Sequence, residues 1–129
     1  MRKKALSTLL TVAALAGFAM QAQALETRFS NNGGDTSWTN ALNWTFGVPG
    51  AADLARLQNA VTADIDSVEV IGGLNFRGNT TLGASIININ NGGSLSSDGT
   101  QFSGNNRVGS AGDATLNIHS GGSVNFSGT

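Results

Sequence analysis

The chain is predicted to be all-β beyond its N-terminus, a solenoid of stacked repeats, and three observations predict it. First, Ser85-Ile86-Ile87-Asn88-Ile89-Asn90-Asn91-Gly92-Gly93-Ser94-Leu95 lies over Ala114-Thr115-Leu116-Asn117-Ile118-His119-Ser120-Gly121-Gly122-Ser123-Val124 at a constant offset of 29 residues, with no gap. Second, apolar and polar residues alternate inside each copy: Leu116 and Ile118 against Asn117 and His119, then Val124 and Phe126 against Asn125 and Ser127. That period of two gives a strand one apolar and one polar face. Third, the Gly-Gly pairs fall between the alternating runs, where a tight corner needs positive φ angles. A repeat of this length marks units that bury their apolar faces against one another.

The elements follow in chain order. Residues 1–24 read as an export signal: Arg2, Lys3 and Lys4 supply the positive start, Leu9 to Met20 a short apolar core. Ala22 and Ala24 then place small residues where a signal peptidase inspects the chain. The apolar run is short and rich in small residues, so it is a poor membrane span. The competing reading is an uncleaved N-terminal anchor. A signal-peptide helix is therefore expected at the N-terminus, and membrane contact only through it.

Residues 25–57 differ in character and form the expected N-terminal cap. They hold both tryptophans, Trp38 and Trp44, and the single proline, Pro49. A terminal coil needs an atypical cover, because an open end exposes apolar side chains and strand edges. The sharper alternative makes Trp38 and Trp44 a glycan-contact platform, since an indole face can lie against a sugar ring.

Residues 58–129 are the expected repeats, incomplete at the C-terminus. Val61, Ala63 and Ile65 alternate with Thr62, Asp64 and Asp66; a phase change at Ser67 leads into Val68, Val70, Leu74 and Phe76, with Glu69, Asn75 and Arg77 opposite. Such a change implies a bend or bulge instead of one long strand. Like residues at constant spacing place Asn88 near Asn117 and Ile89 near Ile118, in adjacent rungs about 4.8 Å apart or with one rung between. Two-residue hairpin signals are sparse, Asn91-Gly92 being the main one, which counts against the competing jelly-roll or immunoglobulin-like sandwich. A disordered chain would lack the interleaved β-branched and aromatic residues.

Composition narrows the function classes. Once residues 1–24 are removed, the cations are Arg28, Arg56, Arg77 and Arg107 against eight carboxylates. Phosphate binding needs clustered Lys and Arg, so nucleic acid is not expected as a partner. The chain has no cysteine and one histidine, His119. Zinc sites, thiol nucleophiles and disulfide staples have no raw material. His119 reads as a solvated surface residue, and no Gly-x-Ser-x-Gly elbow is present. Asp64 and Asp66 share a strand face about 7 Å apart, a separation open to glycoside hydrolysis or calcium but more often a solvated acidic face. Asp98-Gly99 and Gly112-Asp113 read as corners. No residue is assigned a catalytic, cofactor or metal role, and no small-molecule cofactor is expected.

The order Trp38, Asn43-Trp44, Val48-Pro49-Gly50-Ala51-Ala52-Asp53-Leu54-Ala55, Val61-Thr62, Asp64-Ile65-Asp66, Gly73-Leu74 and the repeated Gly-Gly-Ser-(Leu/Val) units resembles exported bacterial proteins with autotransporter-associated β-strand repeats. Many of these end in a sorting signal of the Pro-Glu-Pro type. The resemblance covers nearly all of the chain after residue 24. It implies a right-handed parallel β-helix at the cell surface or in extracellular material, and it carries over no catalytic residue. The sequence shows neither a barrel nor a sorting tail, so it is read as the N-terminal part of a longer protein. The expected function is non-enzymatic, structural or adhesive, with extracellular polysaccharide or other surface components as partners. The rival is the N-terminal part of a carbohydrate-active β-helix protein.

Overall fold

The computed structural model describes residues 23–99, 106–109 and 111–127. The expected signal-peptide helix, with Ala22 of the cleavage site, lies outside them; Ala24 precedes the first strand. Ten strands and one short 3₁₀ turn make up the described chain: β1 (Glu26–Arg28), the turn (Ala41–Asn43), β2 (Leu54–Leu57), β3 (Thr62–Ile65), β4 (Val68–Ile71), β5 (Gly73–Phe76), β6 (Ser85–Ile89), β7 (Ser94–Ser97), β8 (Asn106–Val108), β9 (Ala114–Ile118) and β10 (Ser123–Phe126).

Every strand pair is parallel, and the strands sort into three sheets ordered β1-β2-β5-β8, β3-β6-β9 and β4-β7-β10. The chain therefore turns through one strand of each sheet in succession: β2-β3-β4, then β5-β6-β7, then β8-β9-β10. This is a three-sided parallel β-solenoid of three coils, as the repeat predicts. The sandwich alternatives require antiparallel sheets, and no strand pair among those described is antiparallel.

The register places the sequence repeat on adjacent rungs. Asn88 pairs with Asn117, Ile89 with Ile118 and Ser94 with Ser123. The 29-residue spacing belongs to these two coils alone. Leu54 pairs with Gly73 (19 residues on), Thr62 with Ile86 (24) and Leu74 with Asn106 (32). Each coil keeps its strands and absorbs the difference in its corners, where side chains face solvent and length is tolerated. The sequence alignment saw two strands per unit. The third, supplied by β2, β5 and β8, has no conserved residue pattern between coils.

Inward positions form apolar columns that run along the solenoid: Ala55 on Leu74, Leu57 on Phe76, Ala63 on Ile87 and Leu116, Ile65 on Ile89 and Ile118. In the first two coils all of these residues are buried. With about 25 cal/mol of stabilisation per Å² of apolar surface removed from water, these columns are the main favourable contribution to the fold.

The phase change at Ser67 is a corner: β3 ends at Ile65 and β4 begins at Val68. Here the side-chain directions differ from those the alternation implied. Val68 and Val70 are 72% and 52% exposed, and the buried residue is Ile71. Period-two alternation restarts at a corner with no memory of its earlier phase. The pairing of β4 with β7 sets the new one, putting Val68 and Val70 in the columns of Ser94 and Ser96.

The segment expected as a cap, 25–57, contributes β1 and β2 to the first sheet. The cover itself is the loop between them. Its organising residue is Asn43, fully buried at the end of the 3₁₀ turn. Its amide nitrogen donates to Asp35 Oδ1 (2.7 Å), Asp35 O (3.2 Å) and Ser37 O (2.9 Å), and its oxygen accepts from Gly33 N (2.8 Å). Burying an amide is tolerated because all its groups are engaged. Asn43, and secondarily Asn40, hold the Asp35 carboxyl below its ordinary value of 3.8. A depressed carboxyl stabilises the fold above its unfolded value and loses that contribution as pH falls through the folded one. The cap should therefore loosen in acid below about pH 3.8. Tryptophan emission followed across an acid titration should shift to the red there, and Asp35→Asn should remove that step.

Candidate functional site

Three places carry the side chains singled out from the sequence: the tryptophan pair, the outward face of the β3-β6-β9 sheet, and a groove along the β4-β7-β10 sheet.

Trp38 and Trp44 are in the core, 1% and 4% exposed. Their rings meet edge to face at 4.7 Å, and Phe29 meets Trp44 the same way at 5.0 Å. Trp44 Nε1 donates to Trp38 O (2.6 Å). Trp38 is positioned by its backbone, whose N–H donates to Asp64 O (2.9 Å) at the edge of β3. Neither indole offers a face to solvent, so the glycan-contact platform has no exposed surface at Trp38 or Trp44. The pair forms a lid over the first coil. Burial was the part the sequence left open: an indole suits a sugar platform and a core equally well, and only the tertiary packing separates the two.

The outward face of β3-β6-β9 carries a hydrogen-bonded ladder. Thr36 Oγ1 donates to Asp64 Oδ2, Asn88 Nδ2 donates to Asp64 Oδ1 (2.7 Å), and Asn117 Nδ2 donates to Asn88 Oδ1 (2.8 Å). A second, shorter ladder begins beside it, with Asn90 Nδ2 donating to Asp66 Oδ1 (2.8 Å). The two carboxylates that stood as a pair in the sequence are thus engaged along the solenoid axis and not with each other. Asp64 has both oxygens occupied. This arrangement suits neither an acid/base pair, which needs a proton donor and acceptor converging on one substrate bond, nor a calcium site. His119 is exposed one residue beyond β9, as Asn90 lies one residue beyond β6. Among the described residues no three His, Cys, Asp or Glu side chains gather as a metal site would require.

The corners are built by the residues that the sequence marks for them. Gly99 and Gly112 adopt φ of +66° and +97°. Asp53, which sequence reasoning left without a role, ties the start of the solenoid together. Its carboxylate accepts from Leu25 N (3.1 Å) and Gly50 N (2.9 Å), and its carbonyl accepts from Gly72 N (3.0 Å) and Gly73 N (3.1 Å). The Gly-x-x-Asp spacing of Gly50 and Asp53 was the available signal, since an Asp three residues on can close a turn onto a backbone N–H.

A shallow groove of about 250 Å³ crosses all three coils on the remaining side, from Val70 through Ser96 and Asp98 to Asn125 and Ser127. Val70, Ser96 and Asn125 share one column across the three coils, at the rung spacing of about 4.8 Å. They line up along the axis and do not converge on one point.

No helix among the described residues is long and apolar enough to cross a membrane. Comparison with protein-family models, with curated proteins and with solved structures finds no match to this chain.

Proposed function

We propose that this chain is a non-enzymatic β-solenoid that acts outside the cytoplasm in a structural or adhesive role, of the autotransporter-associated repeat kind. The observation that supports this reading is the placement of its polar groups. Asp64, Asn88 and Asn117 bond to one another along the axis, one polar side chain from each coil. Catalysis needs unlike groups held around one reacting bond. A surface that meets an extended partner, or simply carries length, needs like groups at regular intervals. Export rests on Arg2, Lys3, Lys4, the apolar run and Ala22-Gln23-Ala24.

The test has two arms. Expressed in a Sec-competent Gram-negative cell, the chain should leave the cytoplasm and yield an N-terminus at Leu25; a cytoplasmic product still starting at Met1 would sink the export reading. The purified product, incubated with acidic and neutral polysaccharides, should release no reducing or unsaturated ends. Cleavage of any of them would replace this proposal with the carbohydrate-active one.

A further inference from the structure

The four arginines of the described residues are far apart in sequence and meet on one side of the solenoid. Register places Arg28 beside Arg56, Arg56 beside Asn75 and Asn75 beside Arg107, a single column across the β1-β2-β5-β8 sheet. Ala55, Leu57, Leu74 and Phe76 on either side of it are buried in the core, so strand alternation turns the column outward. Arg77 lies two residues beyond Asn75, past the end of β5, and its guanidinium donates to Gln58 Oε1 (3.0 Å). Burial lowers the pKa of Arg56, Glu26 opposes that, and the charges of Arg28 and Arg77 lower it further, so both neighbours act on one guanidinium. The strands of the other two sheets hold no arginine, and Glu26 is the one carboxylate on the strands of this sheet.

Glu26 shows how the column takes a carboxylate. One of its oxygens lies 2.9 Å from Arg28 Nη2 and the other 2.8 Å from Arg56 Nη2. Two guanidinia on adjacent rungs thus hold one carboxylate, in the charge-assisted contact that arginine favours. The hydrogen bonding of this surface is also incomplete within the chain: Arg56 Nε and Asn75 Oδ1 are buried without a partner, and such groups are rare in a finished fold.

Beside the column runs a trough. Three shallow depressions of about 460, 310 and 200 Å³ follow one another along the axis. The first holds Phe46, Thr45 and Arg28; the second shares Arg28 and Thr45 with it, and shares Gln58 and Asn59 with the third, which continues past Arg77 and Asn79. Phe46, 71% exposed, is the one aromatic ring among the exposed large apolar side chains of the described residues.

We propose that this trough binds a linear acidic polysaccharide built on uronic acid residues, its carboxylates on the arginines and a sugar ring against Phe46. Cations set by rungs about 4.8 Å apart suit a chain that carries one charge per sugar unit. Duplex nucleic acid carries a charge every ~1.7 Å, a density that the eight carboxylates of this chain oppose. A protein partner needs desolvated apolar pockets for its anchoring side chains, whereas amides and guanidinia line most of this trough. The proposal deepens the adhesive reading above and rests on it only for the place where the two meet.

Calorimetric titration of the purified chain with polygalacturonate oligomers tests this, with the fully methyl-esterified oligomers as the uncharged counterpart. The acid form should bind, with an affinity that falls as salt rises, and the ester should bind at least roughly tenfold more weakly. Arg28→Gln combined with Arg77→Gln should lower affinity for the acid form by a similar factor. Phe46→Ala, at an exposed position where folding tolerates it, should weaken both forms. Val68→Lys adds a cation on β4, away from the trough, and should leave affinity unchanged. Equal affinity for acid and ester, indifference to the arginine and Phe46 variants, or tighter binding of a single-stranded DNA of matched length would each overturn the proposal. Binding accompanied by cleavage would support this site and overturn the non-enzymatic reading; an inert chain that binds neither form would do the reverse.

Discussion

Replacing Gly93 with alanine should destabilise the chain by roughly 3 kcal/mol, the upper part of the range for overpacking a filled interior, while Gly92→Ala should cost only about 1 kcal/mol. The two glycines are adjacent and look interchangeable in the sequence. Gly92 sits at φ +81° with open space around it, so a methyl group there meets only backbone strain. Gly93 has an ordinary φ, but a Cβ on it would fall inside the contact radius of the Ile65 carbonyl oxygen in the coil below. That oxygen accepts the hydrogen bond from Asn90 N (2.9 Å), so it cannot retreat without breaking the rung. The doublet recurs one coil later with a similar division, save that a Cβ on Gly121, at φ +83°, would also meet the Asn91 side chain; a Cβ on Gly122 would lie 2.8 Å from Ile89 O. Urea unfolding followed by circular dichroism measures both variants. Equal midpoints for Gly92→Ala and Gly93→Ala would refute the assignment of separate roles.

Trp44→Ala should cost about 3–5 kcal/mol, the usual range for removing a buried aromatic side chain. Against a total stability of about 5–15 kcal/mol for a domain, that is enough to open the first coil under mild conditions. Trp44 is the centre of the lid, between Phe29 and Trp38, and it also caps the Trp38 carbonyl. Trp44→Phe keeps a ring between the other two and loses that hydrogen bond, so about 1 kcal/mol of further loss is expected beyond the change in ring size. The chain has no disulfide to hold the coil in place. Urea midpoints give the cost, and the emission of the remaining Trp38 reports whether the lid has opened. A loss below about 1 kcal/mol for Trp44→Ala would mean that the lid is not what holds the first coil.

Much of the fold was legible. Ile87 and Ile89 alternate with Asn88, and Leu116 and Ile118 with Asn117, so the sequence displayed both the strand period and the rung-to-rung match. The Gly-Gly doublets marked the corners between them. Less legible was the third side. Leu54–Leu57, Gly73–Phe76 and Asn106–Val108 share no residue pattern, because their neighbours differ: β2 lies against β1 and the cap, β5 in the fully buried middle, and β8 last in its sheet among the described strands. Val68 and Val70 misled for a related reason, since the direction of a strand's side chains is reset at each corner by the partner strand.

The candidate site divides the same way. Residue types alone left thiol chemistry without a cysteine and marked the apolar, polar and turn-forming positions, because these follow from composition and local periodicity. What each polar group does was decided by tertiary structure. Asp64 lies on β3 and Asp66 one residue beyond its end, yet their oxygens are engaged by Thr36 of the cap loop and by Asn88 and Asn90 of the next coil, and two tryptophans that suit a sugar face are closed into a lid. Local sequence sets which way a side chain can point within its strand. Only the stacking of coils, which brings residues 24 to 29 apart into contact, determines whether that side chain meets solvent, a partner or the core.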